Sequence, residues 1–105
     1  MAVNNTTGDL NTATGDATFF ANSTGYFDTS AGSGALGFNA TGVFNTAIGV
    51  AALNHNATGD NNTAPGYSAG CNVTTASNVI AIGAPRCYIG NIYGATIDRH
   101  GESRY

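Results

Sequence analysis

Glycine returns every 17 residues in this chain, in two separate columns: Gly8, Gly25, Gly42 and Gly59, and Gly15, Gly32, Gly49, Gly66 and Gly83. Self-similarity at a fixed short period is the mark of an array of stacked units, each too small to bury a core alone. In register, the copies run over Asn5–Ala21, Asn22–Phe38, Asn39–His55 and Asn56–Asn72, with a more degenerate one at Val73–Ile89. Residues 1–4 then read as a lead-in and 90–105 as a cap or linker. The consensus is N-x-T-G-x-x-N-T-A-x-G-x-x-A-L-x-x, clearest in Asn39–Leu53. Low charge with much Asn, Thr, Gly and Ser would otherwise suggest disorder, but a disordered segment has no reason to keep register.

A unit of 17 residues is too short for a helical hairpin, and two glycines plus an Asn-x-Thr-Gly turn in every copy would break helices. Two short strands joined by two turns fit that length. The fold class expected is all-β, a parallel β-solenoid (β-roll) of about five coils, with identical residues stacked at the ~4.8 Å strand spacing. The glycine of each Asn-x-Thr-Gly turn is expected at positive φ, and the second glycine, after N-T-A-x, at another sharp bend. Small columns, such as Ala13, Ser30, Ala47, Ala64 and Ala81, imply two closely packed sheets with a thin interior. Asn11, Asn45 and Asn62, with Asp28 and Val79 in the same column, are expected to form an amide ladder, each side chain bonding the one above. Thr12, Thr29, Thr46 and Thr63 suit an outward threonine ladder.

Two columns are large and apolar: Phe19, Leu36 and Leu53, and Leu10, Phe27 and Phe44. A thin interior of Ala and Gly cannot hold all of them, so at least one column packs against other copies of the chain; both are candidate oligomer-interface residues, and a homo-oligomer is expected rather than a monomer. A trimer is favoured and an end-to-end filament is the alternative, since the coil ends are open sheet edges.

Reactive chemistry is not written in the sequence. No catalytic, metal or cofactor motif appears, and the six acids fall in scattered columns without the pairing that acid–base catalysis needs. His55 and His100 are isolated and read as surface or interface residues. The chain is therefore expected not to be an enzyme and to need no cofactor. It has no lysine and only three arginines, Arg86, Arg99 and Arg104, so neither nucleic acid nor an anionic membrane is an expected partner. No apolar run reaches the ~20 residues of a membrane span. The opening MAVNNTTGDL has neither the basic end nor the apolar core of a secretion signal. The expectation is a piece of a longer protein, or release by lysis.

Cys71 and Cys87 are 16 residues apart, so on this period they fall on adjacent coils one column off. A disulfide between them fits that spacing, and so does a pair of reduced, core-packed thiols. Asn-x-Ser/Thr sequons include Asn22, Asn39, Asn56 and Asn72, candidate glycosylation sites. The same residues are also what an Asn-x-Thr-Gly turn requires. The threonine columns invite comparison with ice-binding solenoids, but Thr-x-Thr occurs on one strand only, at Thr12–Thr14, and later copies carry Ala31, Ile48 and Pro65. Ice binding is the weaker alternative, and a thermal-hysteresis measurement separates it.

The segment NTAIGVAALNHNATGDNNTAPGYSAG resembles the head repeats of trimeric autotransporter adhesins, built on a short "AIG" strand. It is more similar to the N-T-A-I-G-x-x-A-L-x-x-N-T-T-G repeats of phage-type tail-fibre and surface-fibre proteins, which often end in an endosialidase-type intramolecular chaperone domain. NVIAIGAPRCYIGNIYG, over 78–94, resembles the sequence that closes such arrays. The resemblance implies a left-handed β-roll in a trimer, acting outside the cell as a virion fibre or bacterial surface element, with a cell-surface or glycan receptor. The repeats of adhesin heads are usually shorter, and Pro65 replaces the isoleucine of the strand motif.

Overall fold

The structure is a computed structural model that describes residues 5–83. Those residues are all-β with no helix: β1 (Thr12–Thr14), β2 (Thr29–Ala31), β3 (Thr46–Ile48) and β4 (Thr63–Pro65) form one parallel sheet in chain order. Each strand pairs with the one a repeat away, Thr12 with Thr29, Thr29 with Thr46, and Thr46 with Thr63. Successive repeats are thus successive coils of a stack, an arrangement consistent with a β-solenoid. The backbone bonds run from coil to coil: Thr46 N donates to Asn62 O (2.8 Å) and Gly49 N to Ala31 O (2.7 Å). Donors that alternate between the following and the preceding coil are the parallel-ladder pattern.

That alternation gives Pro65 its consequence. At the first and third strand positions the N–H points to the following coil, and proline has none. β4 itself forms, but beyond it, among the described residues, the pairing shrinks to a single bridge, Thr63 with Ile80.

The expected second sheet is replaced by turns. Two positions per coil sit in the left-handed region on this side: Ala17, Ala51 and Ser68 (φ 57°, 61° and 52°), and Phe19, Leu36 and Leu53 (φ 50°, 50° and 48°). A strand cannot pass through alternating left-handed residues, so the x-A-L segment bends back on itself. It is held by short bonds such as Ala52 N to Gly49 O (3.2 Å) and by coil-to-coil bonds such as Leu53 N to Ala69 O (2.9 Å).

This bent path turns Phe19, Leu36 and Leu53 inward, where they are fully buried with Ala35, Ala47, Ala52, Ala64 and Ala69. They are the core of the stack, which corrects their expected place at an oligomer interface. Burying a large aliphatic or aromatic side chain is worth about 1.5–3 kcal/mol, enough to offset the roughly 1–3 kcal/mol that a left-handed non-glycine residue costs. Leu10, Phe27 and Phe44 carry the same strain (φ 55°, 57° and 58°) and lie on the surface.

The two glycine columns have different causes. Gly15, Gly32, Gly49 and Gly66 adopt φ between 121° and 133°, a region closed to other residues. Gly8, Gly25, Gly42 and Gly59 do not have positive φ, contrary to expectation. A Cβ on Gly42 would collide with the Asn39 side chain and with Gly59 O, so this column is glycine for want of space.

Candidate functional site

Two rows of amides, buried from the second coil to the fourth, form the polar spine of the stack. Asn5, Asn22, Asn39 and Asn56 bond side chain to side chain: Asn22 Nδ2 donates to Asn5 Oδ1 (2.5 Å), Asn39 Nδ2 to Asn22 Oδ1 (2.9 Å) and Asn56 Nδ2 to Asn39 Oδ1 (2.8 Å). Each also closes its own turn, as Asn39 Nδ2 does on Gly42 O (3.0 Å). At the fifth coil Val73 takes the place of asparagine, and Asn62 Nδ2 donates to Asn56 Oδ1 instead (3.1 Å).

This ladder stands in a different column from the one expected. Asn11, Asn45 and Asn62 bond the backbone of the next coil: Asn45 Oδ1 accepts from Asn62 N (2.9 Å) while its Nδ2 donates to Gly59 O (2.9 Å). An extended side chain beside a parallel ladder meets the neighbouring main chain before it meets its own counterpart. Among the described residues, every buried side-chain nitrogen and oxygen has a partner.

The spine also corrects the glycosylation reading. Asn22, Asn39 and Asn56 are fully buried with both ends of the amide bonded, so the folded coil has no room for a glycan there. Asn72 is exposed. Cys71 is half-buried, and Cys87 lies outside the described residues, so their pairing is not addressed. His55 is exposed, with Nδ1 3.1 Å from Cys71 O; a carbonyl partner requires the hydrogen on Nδ1. Among the described residues no three His, Cys, Asp or Glu side chains are grouped to hold a metal, and no helix is long and apolar enough to cross a membrane.

Asp28 is the one acid in the spine. It occupies the Asn45 column, is almost wholly buried, and accepts from Asn45 N (2.7 Å) and Asn39 Nδ2 (3.1 Å). Burial raises its pKa to about 6; the hydrogen bonds from Asn45 and Asn39 pull part of the way back, and the charge of Asp60 adds to the rise. Between an ordinary aspartate pKa and about 6, the folded chain holds a proton that the unfolded chain has released. Stability should therefore fall as pH rises through that window and level off above it, by up to about 3 kcal/mol at ~1.4 kcal/mol per pKa unit. Asp28→Asn restores the amide that the column uses elsewhere. It should stabilise the fold at neutral pH and flatten this slope, as read from denaturant midpoints between pH 4 and pH 7.

Outside the spine, large apolar side chains are exposed in two aromatic groups. Phe27 and Phe44 stack with centroids 5.1 Å apart and planes 11° from parallel, with Tyr26 edge-on to both. Phe20 meets Phe38 edge-on at 6.3 Å, and Phe38 stacks on His55 at 6.0 Å. A hollow of about 560 Å³ lies beside Gly70, Cys71, Val73, Thr74 and Ala81, where Gly70 interrupts the inward column of Phe19, Leu36 and Leu53. Nothing in the sequence periodicity distinguished the inward large column from the outward one, because both are apolar and both recur at the same interval. Comparison with family models, curated proteins and solved structures finds no match to the chain.

Proposed function

We propose that this chain is a β-solenoid rod, a structural element of an extracellular fibre of the tail-fibre or adhesin-head kind that supports attachment to a surface. It works as a homo-oligomer, with a trimer favoured. The observation that supports this reading most is the axial continuity of the bonding. The spine amides and most backbone donors of each coil engage the coil before or after it, so load along the axis is shared by parallel hydrogen bonds. Such a stack behaves as a nearest-neighbour chain, stiff along one direction and extendable by adding repeats. The repeats' resemblance to tail-fibre and adhesin-head sequences points the same way.

Electron micrographs of the purified chain, together with its mass in solution, test the proposal. Discrete short particles of about three times the 10.5 kDa chain mass are expected. Long unbranched filaments would shift the reading to end-to-end stacking of coils. A dispersed 10.5 kDa monomer at all concentrations would overturn the assembly.

A further inference from the structure

The surface column Leu10, Phe27, Phe44, Asn61 and Asn78 holds one backbone conformation in every coil, with φ between 55° and 61°. Asparagine is among the few non-glycine residues that adopt this conformation readily, and the fourth and fifth coils use it. The first three coils carry a leucine and two phenylalanines there, 64%, 46% and 50% exposed. In the inward column, burial compensates residues held in the same strained region. Here the described residues offer the Phe27–Phe44 stack with Tyr26 edge-on to both, and about half or more of each of the three side chains stays exposed. Folding of the coil covers these side chains only in part, and an outlier left this exposed points to a contact made elsewhere.

We infer that Leu10, Phe27 and Phe44, with Tyr26 beside them, form a lateral seam against a second copy of this chain. The inference rests on the proposed assembly and names the face through which it occurs. Size supports a copy as the occupant. Half-exposed aromatic side chains each leave on the order of 100 Å² free, so the ribbon offers roughly 400 Å² of apolar surface. That is about half of the ~800 Å² that each partner gives to a stable interface, the rest coming from a polar rim. The rim is present: Asp9, Thr24 and Thr41 lie exposed just before the ribbon residues of their coils. The ribbon's knobs repeat at the coil spacing, so a surface with matching grooves is one built on the same repeat, which a second copy supplies.

The full-length variant L10N/F27N/F44N tests this, because it installs the residue that the fourth and fifth coils already use in that conformation. Its β-type circular dichroism should match the wild type, while its mass by analytical ultracentrifugation should fall from the oligomer to a single 10.5 kDa chain. Its melting temperature should lose the concentration dependence of the wild type. An Asn61→Ala variant, changed in the same column outside the ribbon, should keep the wild-type mass. A triple variant that stays oligomeric would overturn the seam and leave the assembly itself standing. A wild type that is monomeric throughout would overturn both.

Discussion

Gly49→Val is expected to unfold most of the stack. Gly49 sits at φ 133°, and a Cβ there would lie 2.5 Å from Gly66 O and 2.6 Å from Gly66 C, in the next coil. Those atoms are backbone, so the coils must separate before the side chain fits. A β-branched residue at this φ adds strain of about 1–3 kcal/mol, and with the forced separation the loss should exceed ~4 kcal/mol, in the range reserved for specific structural damage. Small domains have about 5–15 kcal/mol to lose. Because each coil is stabilised by its neighbours, hydrogen exchange should show protection falling in the copies on both sides. Loss confined to residues 45–53 would mean that the repeats fold independently.

Asn39→Leu should come next in severity, although it adds apolar surface and little volume. Asn39 Nδ2 donates to Asn22 Oδ1, Gly42 O and Asp28 Oδ2, and its Oδ1 accepts from Asn56 Nδ2. Leucine replaces none of these bonds, and Asn56 Nδ2 keeps only Gly59 O. Each buried group left unsatisfied costs about 1–3 kcal/mol, so a loss of roughly 3–6 kcal/mol is expected in denaturant unfolding. A change of less than about 1 kcal/mol would mean that water or a shifted backbone takes over the amide's work.

Both substitutions fall on residues that the sequence marks by recurrence, and the contrast between them shows what recurrence can say. The 17-residue period and the parallel stacking were legible because glycine, asparagine and threonine return at the same interval. Direction was not legible. Whether Phe19 or Phe27 faces inward depends on left-handed residues at Ala17 and Phe19, which no local propensity favours, since alanine and phenylalanine normally avoid that region. The interior that fits Phe19, Leu36 and Leu53 repays the strain, so tertiary burial decides the turn and not the turn residues.

The two asparagine columns failed to separate for a related reason. Asn39 and Asn45 are the same residue type at the same interval, and only the backbone beside them tells a side-chain ladder from a side-chain-to-backbone one. One sequence signal did point to the difference. Gly42 always lies three residues after the ladder asparagine, and the close approach of Gly59 O and the Asn39 amide explains why no Cβ is admitted. Asp28 went unremarked as a titrating group because its column is otherwise amide, and its raised pKa comes from burial, which the sequence does not display.

Through-hydrogen-bond scalar couplings in an isotope-labelled sample test the central claim most directly, since they identify each donor's acceptor. Stacked coils require a coupling from Thr46 N to the carbonyl carbon of Asn62 and another from Gly49 N to that of Ala31, with the same steps repeated at Thr29 to Asn45 and Gly66 to Ile48. Couplings from these amides to acceptors four residues back, or to partners whose numbers fall as the donor's rises, would contradict it: the first is a helix and the second an antiparallel hairpin.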